Sequence, residues 1–169
     1  MRAHVVLAAL VLAAITGCIN LRVTSDHDPS ADFTGLETWG WEPGRDALPR
    51  QPRTRDADAR IRAAIEAELT RRGFRKFTDD RPDFYVNYDA ALHDRRTSQT
   101  SRTQLGWSSV RTYQWVEGTL TVDVFHPTSR VVIWRGTADG AVDEKAPLEE
   151  RQARLEDAVR RMFDRFPPK

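Results

Sequence analysis

The chain predicts an α+β domain: a mostly antiparallel sheet of about five strands with two amphipathic helices packed on one face. Three observations carry this. Residues 84–92 and 116–125 alternate apolar and polar side chains with a period of two, which is the pattern of half-buried strands. Residues 56–72 and 147–166 instead return an apolar residue every three or four positions, the pattern of a helix with one buried stripe. His126-Pro127-Thr128-Ser129 places proline where a type I turn takes it, between two strand-like runs, and so closes an antiparallel hairpin.

In chain order, the first element is an export leader. Met1-Arg2-Ala3-His4 brings a positive charge, and Val5–Ile15 is an uncharged run of eleven residues. A membrane-spanning helix takes about 20 apolar residues, so this run is too short to be one. A charged start, a short apolar core and small residues at its end read as a signal peptide over residues 1–17. Cys18 follows and is the only cysteine. In an exported chain such a thiol has no internal disulfide partner. Residues 18–169 are then one domain, long enough to bury a proper core. Of 26 basic residues Arg2 lies in the leader, so the remainder balances 25 acidic ones. No basic surplus draws this domain to nucleic acid.

Ile19, Leu21 and Val23 alternate with Asn20, Arg22 and Thr24, a strand that Asp26-His27-Asp28-Pro29 ends. Trp39 and Trp41 stand two apart and share a face if Thr38–Trp41 is a strand. Two readings hold for them: a platform for a ligand or partner, or a cover over the edge of the core. Glu42–Arg55 has Pro43, Gly44, Pro49 and Pro52 and no apolar period, so it reads as a mobile loop. Asp56 or Asp58 caps a helix to Arg72 with Ile61, Ala64, Ile65 and Leu69 as its buried stripe. Gly73 supplies the left-handed residue after it, and Phe74 folds back onto Leu69.

Asp79-Asp80-Arg81-Pro82-Asp83 lacks the glycine and terminal glutamate of a calcium loop and reads as a turn. Phe84, Val86, Tyr88, Ala90 and Leu92 form the next strand. His93–Thr103 is polar and reads as a solvent-exposed excursion between strands. Trp107, Val110, Tyr113 and Trp115 extend a hairpin that leads into the strand Val116–Phe125, and Arg130–Thr137 returns beside it. Pro147 opens the last helix, whose stripe is Leu155, Ala158, Val159, Met162, Phe163 and Phe166, and Pro167-Pro168 stops it.

Ile15-Thr16-Gly17-Cys18 resembles the lipobox of bacterial lipoproteins. That resemblance implies peptidase recognition of Ile15, Thr16 and Gly17, cleavage before Cys18, and acyl chains on the cysteine. Each buried methylene contributes ~0.8 kcal/mol, so two chains hold a protein on a membrane where one does not. Ile19, in place of the aspartate that retains such proteins at the inner membrane, implies an outer-membrane protein facing the periplasm. At ~3.5 Å per extended residue the domain sits within about 10–20 Å of the lipid surface. The order Asp32-Phe33, Thr38-Trp39-Gly40-Trp41, Pro82-Asp83, Glu117-Gly118-Thr119-Leu120 through Asp123, Ile133-Trp134-Arg135-Gly136 and Phe166-Pro167-Pro168 resembles the bacterial lipoprotein family catalogued as domain of unknown function 4136. The resemblance implies an exported α+β domain on a lipid anchor, and it implies no reaction. The loop 42–55 and the polar stretch 93–103 carry none of its motifs.

No catalytic residue stands out. His27, His93 and His126 form neither HExxH nor HxH, and no further cysteine joins them as a metal ligand. There is no GxSxG elbow and no glycine-rich phosphate loop, so neither metal nor cofactor is expected. The expected activity is a non-enzymatic binding or assembly module, tethered to the membrane through Cys18, with an envelope protein as partner. Two alternatives stay open: a hydrolase of an envelope polymer using a carboxylate pair, and a small-ligand carrier with an aromatic pocket at Trp39 and Trp41.

Overall fold

The computed structural model describes residues 21–44, 52–77, 81–102 and 108–168. Among these, six strands and two helices occur in the order β1 (Arg22–His27), β2 (Thr38–Trp41), α1 (Pro52–Arg71), β3 (Arg75–Lys76), β4 (Phe84–Arg102), β5 (Ser108–Phe125), β6 (Val132–Val142) and α2 (Leu148–Phe163). They form one six-stranded sheet in the order β1-β6-β5-β4-β2-β3. The pairs β1–β6, β6–β5 and β5–β4 are antiparallel, and β2 runs parallel to both β3 and β4. The sheet is therefore mostly antiparallel, with one more strand than the pattern predicts. The extra strand is β3, two residues long and too short to show a period.

The core forms where alternate residues of the sheet meet the helix stripes. Phe84, Val86 and Tyr88 of β4, Leu120, Val122 and Val124 of β5 and Trp134 and Ala138 of β6 join Ile61, Ala64, Ile65 and Leu69 of α1 and Ala158, Val159, Met162 and Phe163 of α2 in a single buried cluster. Each fully buried side chain of this kind contributes ~1.5–3 kcal/mol. α1 ends as its residues dictate. Gly73 takes φ 92°, its N–H donates to Thr70 at 2.9 Å, and the Phe74 N–H reaches back to Leu69 at 3.0 Å. These two bonds satisfy the last carbonyls of the helix.

Several boundaries differ from the sequence reading. β1 runs on through Asp26 and His27, because pairing with Arg135 and Trp134 of β6 outweighs the local turn preference. α1 starts at Pro52, inside the stretch read as loop, since a helix tolerates proline in its first turn, where the N–H has no partner in any case. β4 does not stop at Leu92 but continues to Arg102, so residues 93–102 are strand. β6 starts at Val132, and Pro147 precedes α2 as its cap residue. Phe166 lies beyond the end of α2, yet it is buried, with the rings of Phe33, Phe74, Phe84, Trp134 and Phe163 all within 6.1 Å.

Candidate functional site: the projecting arm

Ile15, Thr16, Gly17 and Cys18 lie outside the described residues, as does Trp107. Trp39 is fully buried, so the expectation that it offers a ligand or partner surface fails for that residue. The reason is tertiary: α1 packs over the face that both tryptophans share. Trp41 is half-buried, edge-on to Trp39 at 5.3 Å. Its indole N–H donates to Glu66 at 2.8 Å, and the Arg62 guanidinium sits 4.5 Å above its ring. Arg62 also pairs with Asp58 at 3.0 Å, and the Tyr88 hydroxyl donates to the same carboxylate. Burial and that carboxylate push the Tyr88 hydroxyl well above its ordinary pKa, so it stays a proton donor.

The residues of the family motifs hold the fold together. One oxygen of Asp83 accepts from the N–H groups of Glu37 and Thr38, at 3.0 and 2.7 Å, and from the Thr38 hydroxyl at 2.8 Å. This clasp fixes β2 to the start of β4. Burial raises the Asp83 pKa, but the three donors and Arg75 outweigh it and leave the carboxyl below its ordinary value. Asp123 and Arg135 form a two-pronged pair across β5 and β6 at 2.6 and 2.8 Å. Trp134 is buried, donates to the Arg165 carbonyl at 3.2 Å, and lies against the bare α-carbon of Gly136, where any side chain would collide with its ring.

The carboxylates that line the groove between the two helices are mostly paired as well. A groove of about 430 Å³ between α1 and α2 is lined by Ala64, Ala67, Glu68, Arg71, Asp157 and Arg160, among others. Glu68 in its wall is bound by Arg71 and Arg72 at 2.7 and 2.6 Å, and Asp157 is paired with Arg160. Among the described residues no three His, Cys, Asp or Glu side chains gather as a metal-ligand group. His126 caps its own turn, accepting at Nδ1 from the N–H groups of Thr128 and Ser129 at 3.2 Å. His27 packs against Phe33.

One region has no such internal use. β6 ends at Val142, opposite Val116 of β5, and β2 ends at Trp41, opposite Val86 of β4. Beyond those points β4 and β5 continue as a two-stranded ribbon, paired from Arg95↔Trp115 to Arg102↔Ser108. At ~3.3 Å per residue the ribbon projects about 25 Å. A two-stranded ribbon alone is marginal in water, so this arm depends on the body for its order. One face carries Tyr113 and Trp115, which are 47% and 41% exposed, together with Arg95 and Arg111. The other carries Val110, 64% exposed, with Arg96 and Arg102. Residues 95–102 and 108–115 contain four arginines and no carboxylate. Arg95 reaches back to Glu117 at 2.5 Å, whereas Arg96, Arg102 and Arg111 pair with no described residue. The sequence reading found the aromatic half of this arm but took its partner, residues 93–103, for a loop. The signal was there in arginines without acids and in a Ser/Thr-rich run of strand length.

The geometry is that of a mixed α+β domain with a projecting β-ribbon. Residues 23–168 match the family described as Domain of unknown function (DUF4136), and the chain belongs to that family. The fold is also similar to part of a PDZ domain protein from Parabacteroides distasonis ATCC 8503, at 13% identity and TM-score 0.56 over 89% of this chain. The chain spans only 36% of the length of that protein. The PelC dodecamer from Paraburkholderia phytofirmans aligns over 85% of this chain and 94% of its own, at 9% identity and TM-score 0.49. A putative neuraminyllactose-binding hemagglutinin homolog from Helicobacter pylori aligns over 79% and 87%, at 11% identity and TM-score 0.43. No curated protein matches the chain.

Proposed function

We propose that the protein is a lipid-anchored lipoprotein of the bacterial envelope, held at the periplasmic side of the outer membrane, that works as a binding or assembly module and carries out no reaction. The leader and Cys18 support the anchor. The projecting arm carries the binding reading: exposed aromatic side chains on a ribbon that contributes nothing to the core have the character of a contact surface. Asp83, Asp123, Arg135 and Trp134 support it from the other side, since they are spent on clasps and packing.

Mass spectrometry of the membrane-extracted N-terminus tests the anchor, with an acylated Cys18 as the expected first residue. Cross-linking of native envelopes tests the module. A reproducible envelope partner is expected with the anchored protein, and it is lost when Cys18→Ala releases the domain from the membrane. A free Cys18 thiol at the mature N-terminus removes the first half of the reading, and the absence of any partner removes the second.

A further inference from the structure

The arm and the anchor leave the sheet at the same end. Arg22 of β1 pairs with Asp139 of β6, and Asp139 pairs with Thr119 of β5. The start of β1 therefore lies level with the stretch of β5 from which the arm departs. Leu21 touches the α-carbon side of Gly140, which pairs with Gly118. Cys18 precedes Leu21 by three residues, and Trp115 lies three residues beyond Gly118 along β5. Three residues span at most ~10 Å, so an anchor at Cys18 brings the membrane surface no farther from Leu21 than the distance from Gly118 to Trp115. Sideways, β1 and β5 are two strand spacings apart, again ~10 Å. The seven residues from Trp115 to Ser108 span a further ~23 Å, and since the open edges of a two-stranded ribbon do not enter hydrocarbon, that length runs along the surface.

The composition of the arm suits that place. Trp and Tyr favour the headgroup layer, where an amphipathic ring meets both water and acyl chain. Arginine reaches phosphate with a planar fork of donors and extends to it from an apolar surface. The arm has four arginines and no carboxylate, so the rest of residues 18–169 carries the four excess acidic residues that balance it.

We propose that the arm lies on the lipid surface to which Cys18 tethers the chain, with Trp115 and Tyr113 in the headgroup layer and Arg111, on the same face of the ribbon, on anionic lipid phosphate. The lipid is thus gripped twice, covalently at the N-terminus and by the ribbon. The domain is thereby fixed in orientation at the membrane. This inference rests on the tethered reading above.

The test uses the full acylated protein in vesicles of phosphatidylethanolamine and phosphatidylglycerol. Acylation consumes the native thiol, so a single nitroxide label is placed through Ser109→Cys on the arm or Thr128→Cys at the opposite end of the sheet. The arm label is expected to collide more with dissolved oxygen than with a water-soluble nickel chelate, and the Thr128→Cys label the reverse. An arm label as open to the chelate as the control, or one immobilised but shielded from both (a protein contact), overturns the proposal while leaving the anchor intact. If the N-terminus proves unacylated, the tether fails on its own. The arm is then judged by sedimentation of the unacylated chain with the same vesicles. There Tyr113→Ser with Trp115→Ser should weaken binding by at least ~10-fold. Unchanged sedimentation overturns the proposal.

Discussion

The body of the domain and its arm treat the same residue types in opposite ways. In the body, many arginines are matched, Arg62 to Asp58, Arg72 to Glu68 and Asp164, Arg130 to Glu42 and Arg135 to Asp123, although Arg22, Arg60 and Arg81 have no described acid. Tryptophans are packed, Trp39 and Trp134 completely. On the arm, Arg96, Arg102 and Arg111 have no described acid and Trp115 faces outward. The difference teaches where to look for function. A recurring motif residue whose hydrogen bonds and packing are fully used inside the fold explains the fold. Of the unmatched charges, Arg96 and Arg102 lie in the stretch 93–103 that carries no motif, and Arg111 and the exposed rings lie on the strand paired with it.

The comparison breaks first if the body does not behave as a packed unit. Trp134→Ala empties a fully buried site between β6 and α2, and a loss of ~3–5 kcal/mol is expected in urea unfolding. Next comes the Asp83 clasp. Asp83→Ala removes one carboxylate that accepts three hydrogen bonds; about 2–3 kcal/mol should go, because hydrogen bonds to a charged acceptor are the stronger kind.

The pH dependence of Asp83 follows from its lowered pKa. The stabilisation is fully present above the unfolded-state value, near 3.8, and is lost as pH falls through the lower folded value. The gap in urea midpoint between wild type and Asp83→Asn should therefore be wide at neutral pH and narrow as pH falls below 3.8. A gap that widens in acid contradicts the clasp. Gly73→Ala should cost ~1 kcal/mol, since a β-carbon is strained at its φ of 92°. A thermal scan with no shift in midpoint would place that helix end elsewhere.

The smallest effect on stability sharpens the comparison most. Val110→Ser, Tyr113→Ser and Trp115→Ser together should change stability by less than ~0.5 kcal/mol, since all three are exposed and outside the core. The same triple variant should lose the contact that the arm makes. A large destabilisation would show the arm to be part of the body.

The helices and β4, β5 and β6 were legible in the sequence because each buries one face, and burial imprints a period. Leu120, Val122 and Val124 alternate because one side of β5 is wet and the other dry. Gly73 and Phe74 were legible because a helix end has few local solutions. The outer half of β4 was not. Both faces of that ribbon meet water, so residues 95–102 carry no apolar alternation, and their strand character comes only from pairing with 108–115. β3 was invisible for want of length. The partner of Asp83 was equally hidden: Thr38 is 45 residues away, and nothing local announces the clasp.

What a few neighbouring residues could fix was the α+β class, because the water-to-core transfer of side chains imprints its period locally. Long-range pairing alone made Trp39 core, turned Asp83 into a clasp, and sent a bare cationic-aromatic arm out of the sheet at the end where β1 begins. Those depend on which distant strands lie side by side, and strand pairing is written in backbone hydrogen bonds that any residue but proline can make.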